Sequence, residues 1–169
     1  MEDSIKMVAV DIDGTFVRSD YTYDRLRFRQ ILARMKKAGC RFVVASGNQY
    51  YELRDIFLDC PDDFAFFAEN GAYIKDGREL IYTANMPKNV VNAVIDLCGQ
   101  YPEILNVLCG VHSAYCQRGA VSQEFFDLTS IYYHRLKWVD DLKAVGDQIL
   151  KFAPTVPEEK TYYYYDLFC

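Results

Sequence analysis

The chain lacks a long uncharged apolar run, a close pair of cysteines and an excess of positive charge, and each absence removes a class of function. The opening Met1-Glu2-Asp3-Ser4-Ile5-Lys6 has no basic region followed by a long apolar stretch, so neither a secretory signal nor a membrane span is expected, and a cytoplasmic location follows. Cys40, Cys60, Cys98, Cys109, Cys116 and Cys169 lie far apart, which argues against a zinc site, a redox pair or a dense disulfide framework. They read instead as small core residues. With 19 Lys and Arg against 24 Asp and Glu, the net charge is -5, and the two signs are interspersed. No basic face is available to grip nucleic acid, so that partner class is excluded. Neither an internal repeat nor a low-complexity linker is visible.

What is present is apolar material: of 169 residues, 51% are hydrophobic and 15% aromatic, enough for a substantial core in one domain or two small ones. Residues 5–10 form a short continuous apolar run, as expected of a strand buried on both faces of a parallel sheet, and the run ends abruptly at Asp11. Residues 24–38 place Leu26, Ile31, Leu32 and Met35 at roughly helical spacing, with Gly39 where a helix C-terminus wants it. Residues 41–45 read as a second buried strand, and the strand, helix, strand unit brings both strand tips to one edge. A second helix is expected at residues 49–58, a third strand at 64–68, and a hairpin of 73–75 with 80–82 turning at Asp76-Gly77.

A boundary is expected near residues 83–87, giving domains 1–84 and 85–169. The second part reads as α+β. It has helices at 89–101 and 123–128, strands at 104–109 and 113–117, and a strand at 150–153 that stops before Pro154. Between them, residues 136–149 mix a segment containing Trp138 with another helix. The four tyrosines at 162–165 fit a partly buried strand or helix better than a platform for stacked bases.

The chemistry gathers at the strand tips, where open α/β sheets hold their ligands. Phosphoryl transfer needs a nucleophile, a proton donor for the leaving oxygen, donors for the equatorial oxygens and usually a divalent cation. Asp11 can serve as nucleophile. Asp13 can protonate the leaving oxygen and then activate water, and the two carboxylates make a hard oxygen site for Mg²⁺. Gly14 lets backbone approach a phosphate, and Thr15 adds a hydroxyl or caps the turn. Ser46 can donate to a phosphate oxygen, while Gly47 and Asn48 open the next helix, whose amides favour an anion; alone, the tripeptide reads as a helix cap before it reads as a phosphate site. Asn70, before Gly71 at the third tip, either contacts substrate or supports the turn.

Val10-Asp11-Ile12-Asp13-Gly14-Thr15, Ala45-Ser46-Gly47-Asn48 and Glu69-Asn70-Gly71-Ala72 follow one another across the first half of the chain. In that order and spacing they resemble the haloacid dehalogenase-like hydrolases, within them the Cof-like sugar-phosphatase branch. The resemblance implies a Rossmann-like three-layer core, present here in part, and the beginning of an inserted α+β cap that selects the substrate. It implies Mg²⁺-dependent hydrolysis of phosphate monoesters of sugar-phosphate type. Asp11 would be nucleophile and metal ligand, Asp13 acid/base with its carbonyl on the metal, and Ser46, Gly47, Asn48, Asn70, Gly14 and Thr15 would bind phosphate or substrate.

Two departures accompany it. Asn48 stands where the second motif often carries Arg, removing a charge-assisted contact. Members of this branch also continue through a phosphate-binding Lys and an acidic metal motif, which no residue after the cap begins supplies. Lys137, Lys143, Lys151 and Lys160 read as solvated, Asp140-Asp141 as the start of a helix and His112 as surface. The competing readings are a relative that binds phosphate or a partner without turnover, and a receiver domain phosphorylated on a strand-tip Asp. The latter wants a further acidic pair and leaves the cap unexplained. Because the family places its remaining strands beside the one bearing Asp11, that strand is expected to be an open edge here, inviting a second copy or a complementing polypeptide.

Overall fold

A computed structural model describes residues 5–60 and 62–168. Contacts divide the chain into two compact units, Met1–Thr83 and Ala84–Cys169. The first unit runs β1 (Met7–Val10), α1 (Arg25–Lys37), β2 (Arg41–Ala45), α2 (Tyr50–Ile56), β3 (Ala65–Ala68), β4 (Tyr73–Asp76) and β5 (Glu79–Thr83). The strands form one sheet in the order β1-β2-β3-β4-β5, with β1, β2 and β3 parallel and β3, β4 and β5 antiparallel. This is an α/β fold of Rossmann-like type, and its two parallel crossovers carry the tips of β1, β2 and β3 to the same edge.

Local chemistry sets the elements. Asp24 caps α1 by accepting from the Arg27 N–H at 2.9 Å, and Gly39, at φ +66°, supplies the left-handed residue that ends it. Both helices pack on one sheet face through aromatics. Phe28 of α1 and Phe57 at the end of α2 meet Phe64 at 6.0 and 5.0 Å between ring centres. Phe16, in the turn after β1, closes on Phe28 at 5.0 Å and on Phe57 at 5.4 Å, so the same cluster anchors the first tip.

The apolar run of β1 is not buried on both faces as its letters suggest: Met7 is 56% and Val8 37% exposed. The reason is position. Among the described residues β1 has β2 as its one neighbour, so it lies at the sheet edge.

The second unit contains α3 (Lys88–Cys98), β6 (Leu105–Gly110), β7 (Ala114–Gln117), α4 (Gln123–Ser130), β8 (Leu136–Val139), β9 (Ile149–Thr155) and α5 (Thr161–Phe168). Its sheet has the order β8-β7-β6-β9. Two expectations change here. The last strand does not stop before Pro154 but runs to Thr155, because β9 is an edge strand and Pro154 loses no ladder bond there. The helix expected within residues 136–149 is a single 3-10 turn, Leu142–Ala144, with Asp141 accepting from the Lys143 N–H at 2.8 Å.

Cys60, Cys98, Cys109 and Cys116 are buried and Cys40 is half-buried, while Cys169 lies outside the described residues. Burial pushes the thiols of Cys98 and Cys116 up to about 11, so they pack as inert apolar groups. No helix among the described residues is long and apolar enough to cross a membrane.

Phe57 is fully buried at the meeting point of α1, α2 and β3. Phe57→Ala is expected to cost about 3–5 kcal/mol in unfolding free energy by urea titration; a loss below about 1 kcal/mol would show that the aromatic cluster does not anchor this unit.

Candidate functional site

The first tip begins where β1 ends. Residues Ile12–Phe16 form a wide turn closed by the Val17 N–H donating to the Ile12 carbonyl at 3.1 Å. Gly14 sits in it at φ +66°, with open space where a Cβ would project. The glycine is required by the left-handed backbone, and its bare face stays accessible. The Thr15 hydroxyl donates to Asp11 Oδ2 at 3.3 Å, so Thr15 braces Asp11 from within the turn. Asp11, Asp13, Gly14 and Thr15 are all exposed.

At the second tip the helix begins where the range 49–58 places it, but Gly47 and Asn48 lie outside it. α2 starts at Tyr50 with Gln49 as its cap position, and Ser46-Gly47-Asn48 is a turn that precedes it. Ser46 Oγ accepts from the Asn48 N–H at 3.1 Å. That amide is therefore occupied within the turn, which corrects the expectation that Gly47 and Asn48 open the helix and offer its first amides to an anion. Ser46 as acceptor keeps its hydroxyl proton for another partner.

The third tip folds back on the second. Glu69, Asn70 and Gly71 take φ of +54°, +59° and +85°, a left-handed run that costs backbone energy at its two non-glycine positions. Backbone bonds hold it: the Glu69 N–H donates to the Asn48 carbonyl at 3.0 Å, and the Asn70 N–H to the Ser46 carbonyl at 3.2 Å. A Cβ on Gly47 would lie 2.7 Å from Asn70 Oδ1. Gly47 is thus needed for the close approach of the Asn70 carboxamide, a reason its letter did not disclose.

These tips enclose an open cavity of about 430 Å³ lined by Asp11, Ala45, Ser46, Gly47, Phe67, Asn70 and Gly71. Asp11, Ser46, Gly47 and Asn70 are thereby brought together. Gly14, Thr15, Asp13 and Asn48 do not line it; Thr15 and Gly14 shape the turn behind Asp11. Asn48 turns its carboxamide away from the phosphate role expected of it and toward carboxylates. Its Nδ2 donates to Asp13 Oδ2 at 2.9 Å and to Glu52 Oε1 at 3.1 Å.

Glu52 is the residue that sequence reasoning missed. It is only 3% exposed, and its Oε2 is buried with no hydrogen-bond partner among the described residues. Burial first, then the Asp13 charge, pushes its carboxyl up to about 7; the Asn48 donor opposes this and Glu69 adds to it. The available signal was its spacing, one helical turn after Asn48.

Other candidates from the second unit are spent on structure. Asp140 is exposed and pairs with Arg118 at 3.4 Å, Lys143 pairs with Asp96, and Lys160 with Glu103 at 2.9 Å. The His112 N–H donates to Asp147 Oδ2 at 2.8 Å. Of the tyrosine run in α5, Tyr164 is buried and its neighbours are exposed.

The family model of the haloacid dehalogenase-like hydrolases matches residues 8–164. The chain belongs to this family. It is 36% identical over 156 residues to the 5-amino-6-(5-phospho-D-ribitylamino)uracil phosphatase YbjI of Escherichia coli K12, covering 92% of this chain and 57% of that protein. The solved structure of SMU.1108c from Streptococcus mutans UA159 superposes with a TM-score of 0.90 at 30% identity, over 98% of this chain and 62% of that one. The subclass IIB sugar phosphatase BT4131 shares the fold, with a TM-score of 0.72 at 18% identity over 94% of this chain and 61% of that one. The chain thus spans about three fifths of the length of these haloacid dehalogenase-like relatives.

The raised Glu52 carboxyl makes stability fall with pH. Below its ordinary value of 4.5 both folded and unfolded chains hold the proton, and between 4.5 and about 7 the unfolded chain releases it first. The stabilisation is complete below 4.5 and is lost as pH rises through about 7. Wild type is therefore expected to lose on the order of 3 kcal/mol relative to Glu52→Gln between about pH 4 and about pH 8 in paired urea titrations; parallel curves for the two proteins would refute this assignment.

Proposed function

We propose that this chain carries the phosphoryl-handling site of a Mg²⁺-dependent hydrolase of phosphate monoesters, acting in the cytoplasm on small, sugar-phosphate-like molecules. The unit Met1–Thr83 would be the core part of that enzyme, and Ala84–Cys169 part of the substrate-selecting cap. The observation that carries this reading is the single cavity shared by Asp11, Ser46 and Asn70, with Asp13 tied in through Asn48.

In this reading an Asp11 carboxylate oxygen attacks phosphorus, and the bond to the ester oxygen breaks as Asp13 delivers a proton to that oxygen. Asp13, now a carboxylate, takes a proton from water, whose oxygen attacks the aspartyl-phosphate and returns Asp11 and inorganic phosphate. Ser46 Oγ–H and the Asn70 carboxamide, both lining the cavity, would donate to the equatorial oxygens. Thr15 holds the Asp11 side chain in its attacking rotamer.

The donors fit Mg²⁺. Among the described residues no cluster of three or more acidic, histidine or cysteine ligands is present, and Mg²⁺ needs none, since it is usually held by one or two carboxylates, waters and substrate phosphate. Asp11 and Asp13 would hold it, and when bound it offsets the charge of phosphate and carboxylate.

The cavity lining contains neither lysine nor arginine. That favours, as a second reading for this chain by itself, phosphate binding with little turnover. Mg²⁺-dependent release of phosphate from p-nitrophenyl phosphate is expected, falling at least about 100-fold in Asp11→Asn. Phosphate binding by calorimetry without release selects the second reading, and neither binding nor release rejects both.

We further propose that a second copy of this chain pairs along β1, supported by the exposed apolar Met7 and Val8 on a strand that has one neighbour among the described residues. Light scattering is expected to return a dimer mass that Val8→Lys shifts to monomer; a monodisperse monomeric wild type would remove the proposal.

A further inference from the structure

We propose that Glu52 is a positioning residue for the acid/base Asp13, acting through the Asn48 carboxamide, an inference that rests on the phosphatase reading above. Asn48 has two Nδ2 hydrogens, and two carboxylates take them: Asp13 Oδ2 at 2.9 Å and Glu52 Oε1 at 3.1 Å. The reversed amide would set Oδ1 against carboxylate oxygens, so this pairing fixes which way the group faces. The Asn48 backbone is held as well, its N–H donating to Ser46 Oγ and its carbonyl accepting from the Glu69 N–H. With backbone and carboxamide both fixed, Nδ2 presents one direction to the first tip, and Asp13 occupies it.

The two ends of this bridge differ in rigidity. Asp13 is exposed on a turn, whereas Glu52 is 3% exposed on α2, beside the fully buried Leu53 and Phe57. Glu52 therefore ties the carboxamide to the packed aromatic core, and the carboxamide steadies the loop carboxylate. Removing the Glu52 acceptor frees the Asn48 side chain to rotate, and Asp13 then samples orientations from which it cannot reach the leaving oxygen. Substrate binding, which uses Ser46 and Asn70, is left in place. The expected signature is a fall in kcat with KM nearly constant.

Two variants of the full chain separate the possibilities. Glu52→Met keeps the length of the side chain and removes the acceptor, whereas Glu52→Gln keeps an acceptor oxygen at the same reach. In ¹H–¹⁵N spectra, the Asn48 side-chain amide, identified by its absence in Asn48→Ala, is expected to exchange with water at least about 10-fold faster in Glu52→Met than in wild type, and to recover protection in Glu52→Gln. With p-nitrophenyl phosphate and Mg²⁺, kcat is expected to drop about 10- to 100-fold in Glu52→Met with KM changed less than about 3-fold, and to be largely regained in Glu52→Gln. Unchanged amide exchange and unchanged kcat in Glu52→Met overturn the proposal, as does a loss of kcat that Gln does not rescue. If wild type releases no phosphate, the phosphatase reading fails by itself. In that case the amide exchange alone decides whether Glu52 holds Asn48, with equal exchange in wild type and Glu52→Met overturning it.

Discussion

One asparagine holds the three strand tips in register. Asn48 gives its N–H to Ser46, takes the N–H of Glu69 on its carbonyl, and spends its carboxamide on Asp13 and Glu52. Four hydrogen bonds thus link the loops after β1, β2 and β3 to the first turns of α2. The third tip is tied to the second also by the Asn70 N–H on the Ser46 carbonyl, and the Asn48 carboxamide adds the link to Asp13 of the first tip; in the proposed reaction, misplacement of about 1 Å can cost on the order of 100-fold in rate. An arginine, which often follows glycine in this motif, could also donate to two carboxylates, but it would bring a positive charge to the tip, whereas the Asn48 carboxamide bridges Asp13 and Glu52 while staying neutral.

That order has an energetic cost. Glu52 and Glu69 are each at most 3% exposed, and both act electrostatically on a region that also holds Asp13. Burial of the Glu52 carboxyl, and after it the charges of Asp13 and Glu69, disfavour its ionised form, which is why it rises to about 7. The left-handed backbone at Glu69 and Asn70 adds further strain. The offset lies one layer down, in the packed rings of Phe16, Phe28, Phe42, Phe57, Phe64 and Phe66. Phe16 belongs to both systems, standing five residues from Asp11 and packed on Phe28, Phe42 and Phe57, so core packing also restrains the turn after β1.

Much of this was legible in the letters, and the limits are instructive. Asp11 and Ser46 stood out because each interrupts an apolar run at the point where a parallel strand must end, and that local contrast survives without knowledge of tertiary neighbours. The exposure of β1 did not, because an apolar run reads alike at the centre and the edge of a sheet, and only long-range pairing decides which it is. Glu52 was hidden for a related reason. A charged residue in an amphipathic helix reads as solvated, and its burial here is decided by tertiary packing that the helix's own letters do not carry. The part played by Gly47 and Asn48 was misjudged because Ser46 has the chemistry of a cap but uses its oxygen two residues on, in a turn, leaving Gln49 at the cap position without a side-chain bond.

The charge distribution also constrains what the cavity can hold. Its lining offers one carboxylate, from Asp11, and neutral donors from Ser46 and Asn70, while Asp13 stands behind Asn48. A phosphate monoester brings about two negative charges of its own, and each unit charge about 4 Å from the Asp11 carboxylate is opposed by on the order of 4 kcal/mol at an effective dielectric near 20. Two or three neutral hydrogen bonds, each worth about 1 kcal/mol net, do not balance that repulsion. An anionic ligand can therefore be held beside an ionised Asp11 only together with positive charge brought from outside the lining residues.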